Sequence, residues 1–136
     1  TQLTWLQITF LSSAFLAALC GAAAGNLRVS AVMSSASAFA YATAIAVGLF
    51  LLAHDYAAVS HAIHGVSVAV NVYLILHALV GFILAAFGIW RLANGYVSSR
   101  RRNDLRIGTL WHCHFLAATA LSFLFLHTLR SMTEAG

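Results

Sequence analysis

The chain has 136 residues, of which 62% are hydrophobic and only 7% charged, with a formal net charge of +4. Its mean hydropathy of +0.90 lies far outside soluble proportions, since so few polar side chains could not cover so much apolar surface. An ordinary water-soluble enzyme or binding module is excluded, and an integral membrane protein is expected. Every basic residue is arginine, and Arg100, Arg101, Arg102 and Arg106 crowd one segment. The positive charge is therefore local, which argues against a nucleic-acid partner. Beside a hydrophobic span it reads as a topology signal and a contact for phospholipid headgroups, worth about 1 kcal/mol per arginine near an anionic surface.

Charges punctuate the chain at Arg28, Asp55, Arg91 to Arg106 and Arg130, and the gaps between them are apolar. A bilayer core needs about 20 apolar residues in a helix, so the gaps hold four spans. These are placed near residues 4–24, 31–54, 60–94 and 108–130. The first run lacks the basic stretch of a cleavable signal and is expected to remain as a span. Gly25-Asn26 should stop the first helix, and Asn94-Gly95 the third. There is no proline, and the runs are too long and unalternating for barrel strands. The fold class predicted is an all-α, four-helix transmembrane bundle in a single domain. The third span, about 35 residues, should tilt or project beyond the bilayer.

Orientation follows from arginine. The basic loop at 95–107 should be cytoplasmic, with Arg28 on the same side, Asp55 opposite and both termini outward. Small residues such as Ser12, Ala14, Gly21, Ser34 and Ser37 fill the first two spans, which should pack closely. Cys20 and Cys113 lie alone in apolar runs and are expected to be small core residues rather than a disulfide or a zinc site.

Seven histidines raise the question of ligation. His64 and His77 are 13 residues apart in the third span, and so are His114 and His127 in the fourth. That spacing is about 20 Å along a helix but about 140° away from a shared face, which argues against two stacked haems. His112 and His127 come within about 60° of one face, while His61 and His77 lie about 160° apart. One haem, held by His77 and one of His112, His114 or His127, is the alternative reading. His112 and His114 cannot converge on one metal ion from an unbroken helix. His61, His64 and Asp55 form an interfacial group that is more simply explained as hydrated side chains. With Asp55, Asp104 and Glu134 as the only acids, catalysis by this chain alone is not expected.

The order of motifs is informative. His54-Asp55-Tyr56 closes the second span, His77 is followed four residues later by Gly81, a basic loop follows, and Leu110-Trp111-His112 opens the last span. This order resembles subunit III of the haem–copper cytochrome c oxidases, over essentially the whole chain, as the last four of that family's seven helices. It is most similar to shortened bacterial forms, or to the subunit III part of a chain fused to subunit I. Leu74 and Ile75 stand where the family's motif has histidine and glycine, and Cys113-His114 replaces the usual aromatic after Trp-His.

The resemblance implies a non-redox membrane subunit of a terminal oxidase in the bacterial cytoplasmic membrane. Haem and copper would lie in its partners, the catalytic subunit I and subunit II, with phospholipid held between them and proton uptake sustained during turnover. His77 and His112 would be buried hydrogen-bonding groups linking the last two helices, with Gly81, Asp55 and Tyr56 at interfaces. Trp111 would anchor near the cytoplasmic surface. The family's lipid-binding glutamate falls in its earlier helices, outside these residues.

Overall fold

The computed structural model describes residues 2–54, 62–98 and 100–134, with side chains at 5–54, 65–98, 100–129 and 131–132. It consists of four helices: α1 (Gln2–Ala23), α2 (Leu27–His54), α3 (Ala62–Ala93) and α4 (Asn103–Glu134). Each contains a stretch long and apolar enough to cross a bilayer: Trp5–Ala23, Leu27–His54, Gly65–Ala93 and Asn103–Leu129. The protein is a multi-pass, four-helix transmembrane bundle. At 32 residues each, α3 and α4 extend about 48 Å and exceed the roughly 30 Å hydrocarbon core, so both must tilt or project.

Local sequence explains where the helices start and stop. Asn26 caps α2: its side-chain Oδ1 accepts from the Arg28 amide at 2.9 Å, and its carbonyl accepts from the Ser30 amide at 3.0 Å. The cap starts α2 at Leu27, four residues before the sequence-based limit. Gly95 stops α3 with φ +72°, a left-handed conformation that glycine adopts without strain. The Tyr96 amide reaches the Arg91 carbonyl at 3.0 Å and the Gly95 amide the Leu92 carbonyl at 3.2 Å, closing a Schellman motif. Arg91 then bonds Asp104 at 2.9 Å, tying the end of α3 to the first turn of α4. There the carboxylate also complements the helix dipole.

The helices form a square. Helix α2 packs extensively on α1 and α3, α4 meets α1 and α3 more sparsely, and the diagonal pairs scarcely meet through their backbones. The α1–α2 contact is the most extensive, as the small residues predict. A Cβ on Gly21 would meet the Met33 Cβ at 3.2 Å, and the Ser37 hydroxyl donates to the Ala14 carbonyl at 2.8 Å. The outer surface is apolar, unlike that of a soluble protein, and the interior mixes apolar with polar side chains. Phe39, Leu110, Leu121 and Phe125 face outward, whereas Gln7, Ser34, Asn71, His112 and Thr119 are buried. Lipid tails are as apolar as leucine, so close packing and hydrogen bonds, not burial of oil, must hold such a bundle together.

Candidate functional site

The centre of the square is occupied by Tyr41 of α2 and Phe115 of α4, both fully buried. The Tyr41 hydroxyl lies 2.5 Å from Nδ1 of His112, which is itself buried. With the imidazole neutral and its proton on Nε2, the tyrosine O–H donates to Nδ1. The two rings lie nearly parallel, 18° apart at 5.4 Å, and Phe115 meets Tyr41 edge-on at 5.8 Å. Gly81 of α3 makes room for this arrangement: a Cβ there would come within 2.7 Å of the Tyr41 ring. Gly81 and His112, both singled out from sequence, thus meet through a residue that was not.

His77 and His112 do not bond to one another. Nδ1 of His77 donates to the Tyr73 carbonyl one turn back, at 2.9 Å, and the ring is half-buried rather than buried. What joins His77 to α4 is ring stacking. Trp111 lies 5.9 Å away and 10° from parallel, and Phe115 lies 5.7 Å away and 18° from parallel. Away from the Arg91–Asp104 ion pair at their ends, the link between the last two helices at His77 is therefore aromatic. The polar link made by His112 runs diagonally, from α4 to α2. The physical reason is the position of His112, which immediately follows Trp111 and so points about 100° around the helix from it.

A second diagonal, between α1 and α3, is crossed by a pair of amides. Gln7 Nε2 donates to Asn71 Oδ1 at 3.0 Å, and Asn71 Nδ2 donates to the Gly48 carbonyl of α2 at 3.0 Å. Both side chains are buried. Sequence reasoning weighed histidines and acids and passed over these two residues. The signal was present, since an amide at membrane depth needs a partner whether or not it ionises.

The remaining candidates are dispersed. His114 is exposed, with its ring 6.2 Å from His77, and His127 is exposed near Phe123 at 6.4 Å, four turns further along α4. Cys20 and Cys113 are free thiols on the outer surface rather than core residues. No group of three or more potential metal ligands occurs among the described residues. Asp55, Tyr56 and His61, together with the His64 side chain, lie outside them. A partly open cavity of about 160 Å³ is lined by His112 together with Ala18, Ser34, Gly88, Asp104 and Gly108. It is smaller than the roughly 300–1,000 Å³ of ordinary cofactor sites.

The four clustered arginines divide into two pairs. Arg100, Arg101 and Arg106 are exposed and Arg102 is half-buried, but only Arg102 and Arg106 line a groove between α1 and α4. Chemically the buried residues make neutral hydrogen bonds and ring contacts across helix interfaces, and the charge is gathered at one end. Comparison with family models, with curated proteins and with solved structures finds no match for this chain.

Proposed function

We propose that the chain is a non-redox, multi-pass subunit of a bacterial respiratory terminal oxidase of the haem–copper cytochrome c oxidase type. In this reading it packs on catalytic subunit I in the cytoplasmic membrane, in a complex with subunit II. It holds phospholipid at that contact and helps sustain proton uptake, while haem and copper belong to its partners. The arginine-rich end faces the cytoplasm, by the positive-inside rule.

One observation supports this reading above the others. Four of the motif residues that carry the resemblance meet in space as packing partners: His77 stacks on Trp111, and Gly81 seats the tyrosine that His112 binds. Imidazoles placed in this way serve helix association. The test is purification from native membranes through a tag on this chain. A haem–copper catalytic subunit should co-purify, and His112→Leu should loosen it while early turnover per haem stays near normal. Absence of that subunit would overturn the proposal. So would a loss of turnover by orders of magnitude in fully assembled His112→Leu complex.

A single-haem cytochrome b is the second reading, and one feature narrows it. The His77 and His114 rings lie 6.2 Å apart, tilted by 38°, and the bond from His77 Nδ1 to the Tyr73 carbonyl leaves Nε2 available. His112, buried against Tyr41, is the poorer ligand. A stoichiometric Soret band in the isolated chain, abolished by either His77→Leu or His114→Leu, would select this reading over the first.

A further inference from the structure

The end of the bundle that carries the arginine cluster is strongly and unequally charged. Arg28, Arg91, Arg100, Arg101, Arg102 and Arg106 lie there, against one acid, Asp104. Asp104 is held by Arg91 at 2.9 Å. Arg91 is further occupied by the Phe87 and Tyr96 rings, which its guanidinium covers at 5.6 and 5.5 Å. Neither Arg102 nor Arg106 therefore has a carboxylate partner among the described residues.

These two residues are not simply spread over the surface. The Arg106 amide donates to the Arg102 carbonyl at 3.1 Å, so they stand one helical turn apart at the start of α4. Both line a groove of about 440 Å³, walled on the other side by the end of α1. Nη2 of Arg102 is shielded from solvent and has no acceptor among the described residues. A shielded guanidinium nitrogen without an acceptor is costly, and a phosphate oxygen is the partner that best relieves it.

The groove also has a gradient of polarity along its depth. On α4 the lining passes from Arg102 and Arg106 to Thr109 and then Leu110, one to two turns further into the membrane. On α1 it passes from Gly25 through Ala24, Ala23 and Ala22 to Leu19, and the small side chains are what leave the trough open. Cation at the interface and apolar walls below it repeat the order of phosphate and acyl chain in a glycerophospholipid, while the Thr109 hydroxyl between them is engaged within its own helix, donating to the Leu105 carbonyl at 2.8 Å. A free anion would use only the first part.

We infer that this groove is a specific site for an anionic phospholipid, its phosphate on Arg102 and Arg106 and one acyl chain between Leu19 and Leu110. The site deepens the lipid-holding part of the proposed function, yet it requires only the four membrane helices and not an oxidase partner. The intact chain is purified alone and reconstituted in phosphatidylcholine nanodiscs. Binding of added phosphatidylglycerol is then read by native mass spectrometry. Replacing both groove residues, Arg102→Gln with Arg106→Gln, should weaken binding by about tenfold or more. Arg100→Gln with Arg101→Gln removes the same charge outside the groove and should matter far less. Ala23→Leu fills the trough without altering charge and should also lower retention. In the wild type, inorganic phosphate should not displace the lipid.

Equal losses in the two arginine pairs would mean diffuse surface charge and would overturn the site. So would unchanged binding in Ala23→Leu, or displacement by inorganic phosphate at concentrations comparable to the lipid. Failure to co-purify an oxidase would strike the proposed function and leave this measurement intact.

Discussion

Two polar crossings hold the diagonals of this bundle, and they solve one problem with different chemistry. Between α2 and α4 the bond joins Tyr41 to His112, two groups that can ionise. Between α1 and α3 it joins Gln7 to Asn71, two groups that cannot. Each crossing depends on a glycine of a neighbouring helix. Gly81 receives the tyrosine ring, and Gly48 both accepts a bond from Asn71 and leaves space for Gln7. Tyr41 and Gly48 are seven residues apart on α2, so the crossings sit about 10 Å apart in depth. The lesson is that membrane depth rewards a satisfied polar group together with the small residue that lets the helices approach, whatever the charge behaviour of the group.

The crossings should differ most when their glycines are filled. In Gly81→Ala the new methyl would stand 2.7 Å from Cζ of a ring already fixed by His112 and Phe115. In Gly48→Ala it would meet the Gln7 amide at 2.6 Å and Ile75 Cγ1 at 2.7 Å; the amide end can swing aside at the expense of its bond to Asn71, and Ile75 must shift as well. Overpacking costs of about 2–3 kcal/mol for the first and about 1–2 kcal/mol for the second are expected, read by unfolding in mixed micelles. A larger loss in Gly48→Ala would reverse the ranking of rigid ring over mobile amide.

Within the amide crossing, Asn71 makes two bonds and Gln7 one. At about 0.6 kcal/mol per membrane hydrogen bond, and up to about 1.7, Asn71→Leu should cost about 1–2 kcal/mol and Gln7→Leu about half as much. Equal values in the same unfolding assay would show that the bond to Gly48 contributes nothing.

The Tyr41–His112 bond is best isolated by a double-mutant cycle. Tyr41→Phe with His112→Leu should show a coupling of about 0.6–1.7 kcal/mol. Gln7→Leu with His112→Leu should be additive to within about 0.5 kcal/mol, because the crossings share no partner. Strong coupling in that second cycle would mean that the two crossings act as one network.

The smallest effect is expected at the residue that the sequence made most conspicuous. His77 bonds only within its own helix and touches α4 through its ring. His77→Leu should therefore cost no more than about 0.5 kcal/mol, at the low end for membrane side-chain bonds. Trp111→Leu removes the other half of the same stacked pair. If His77→Leu destabilised the chain more than Tyr41→Phe, the aromatic seam would outrank the polar crossing.

Much of the architecture was legible along the chain, because a bilayer imposes a simple rule on sequence. A helix must be about 20 apolar residues long and charges must fall outside it, so gaps between charges mark spans directly. Asn94-Gly95 marked the end of α3, since a left-handed stop is a local event, whereas Gly25-Asn26 read as a stop for α1 and its cap on α2 came from the structure. The pairing of small residues on α1 and α2 was legible for the same reason, close approach being a property of the side chains themselves. Gly81, His112 and Trp111 stood out through their motif order, and the structure gives each a packing role.

Partnership was not legible. Tyr41 looks in sequence like one aromatic among many, and Gln7 and Asn71 like incidental amides, because their bonds span 71 and 64 residues. Which face of α4 meets α2 depends on how all four helices rotate to fill the square, and that rotation placed His112 on a diagonal and left His77 with its own helix. The same rotation set two of four neighbouring arginines, Arg102 and Arg106, along a groove and left Arg100 and Arg101 off it. By itself the sequence determined the solvent, the number of helices and roughly where each lies, through length, charge and local backbone chemistry, although α2 and α4 begin four and five residues before the limits it suggested. Only the tertiary structure decided which polar groups satisfy one another, because in lipid a buried donor takes whichever acceptor the packed helices bring within reach.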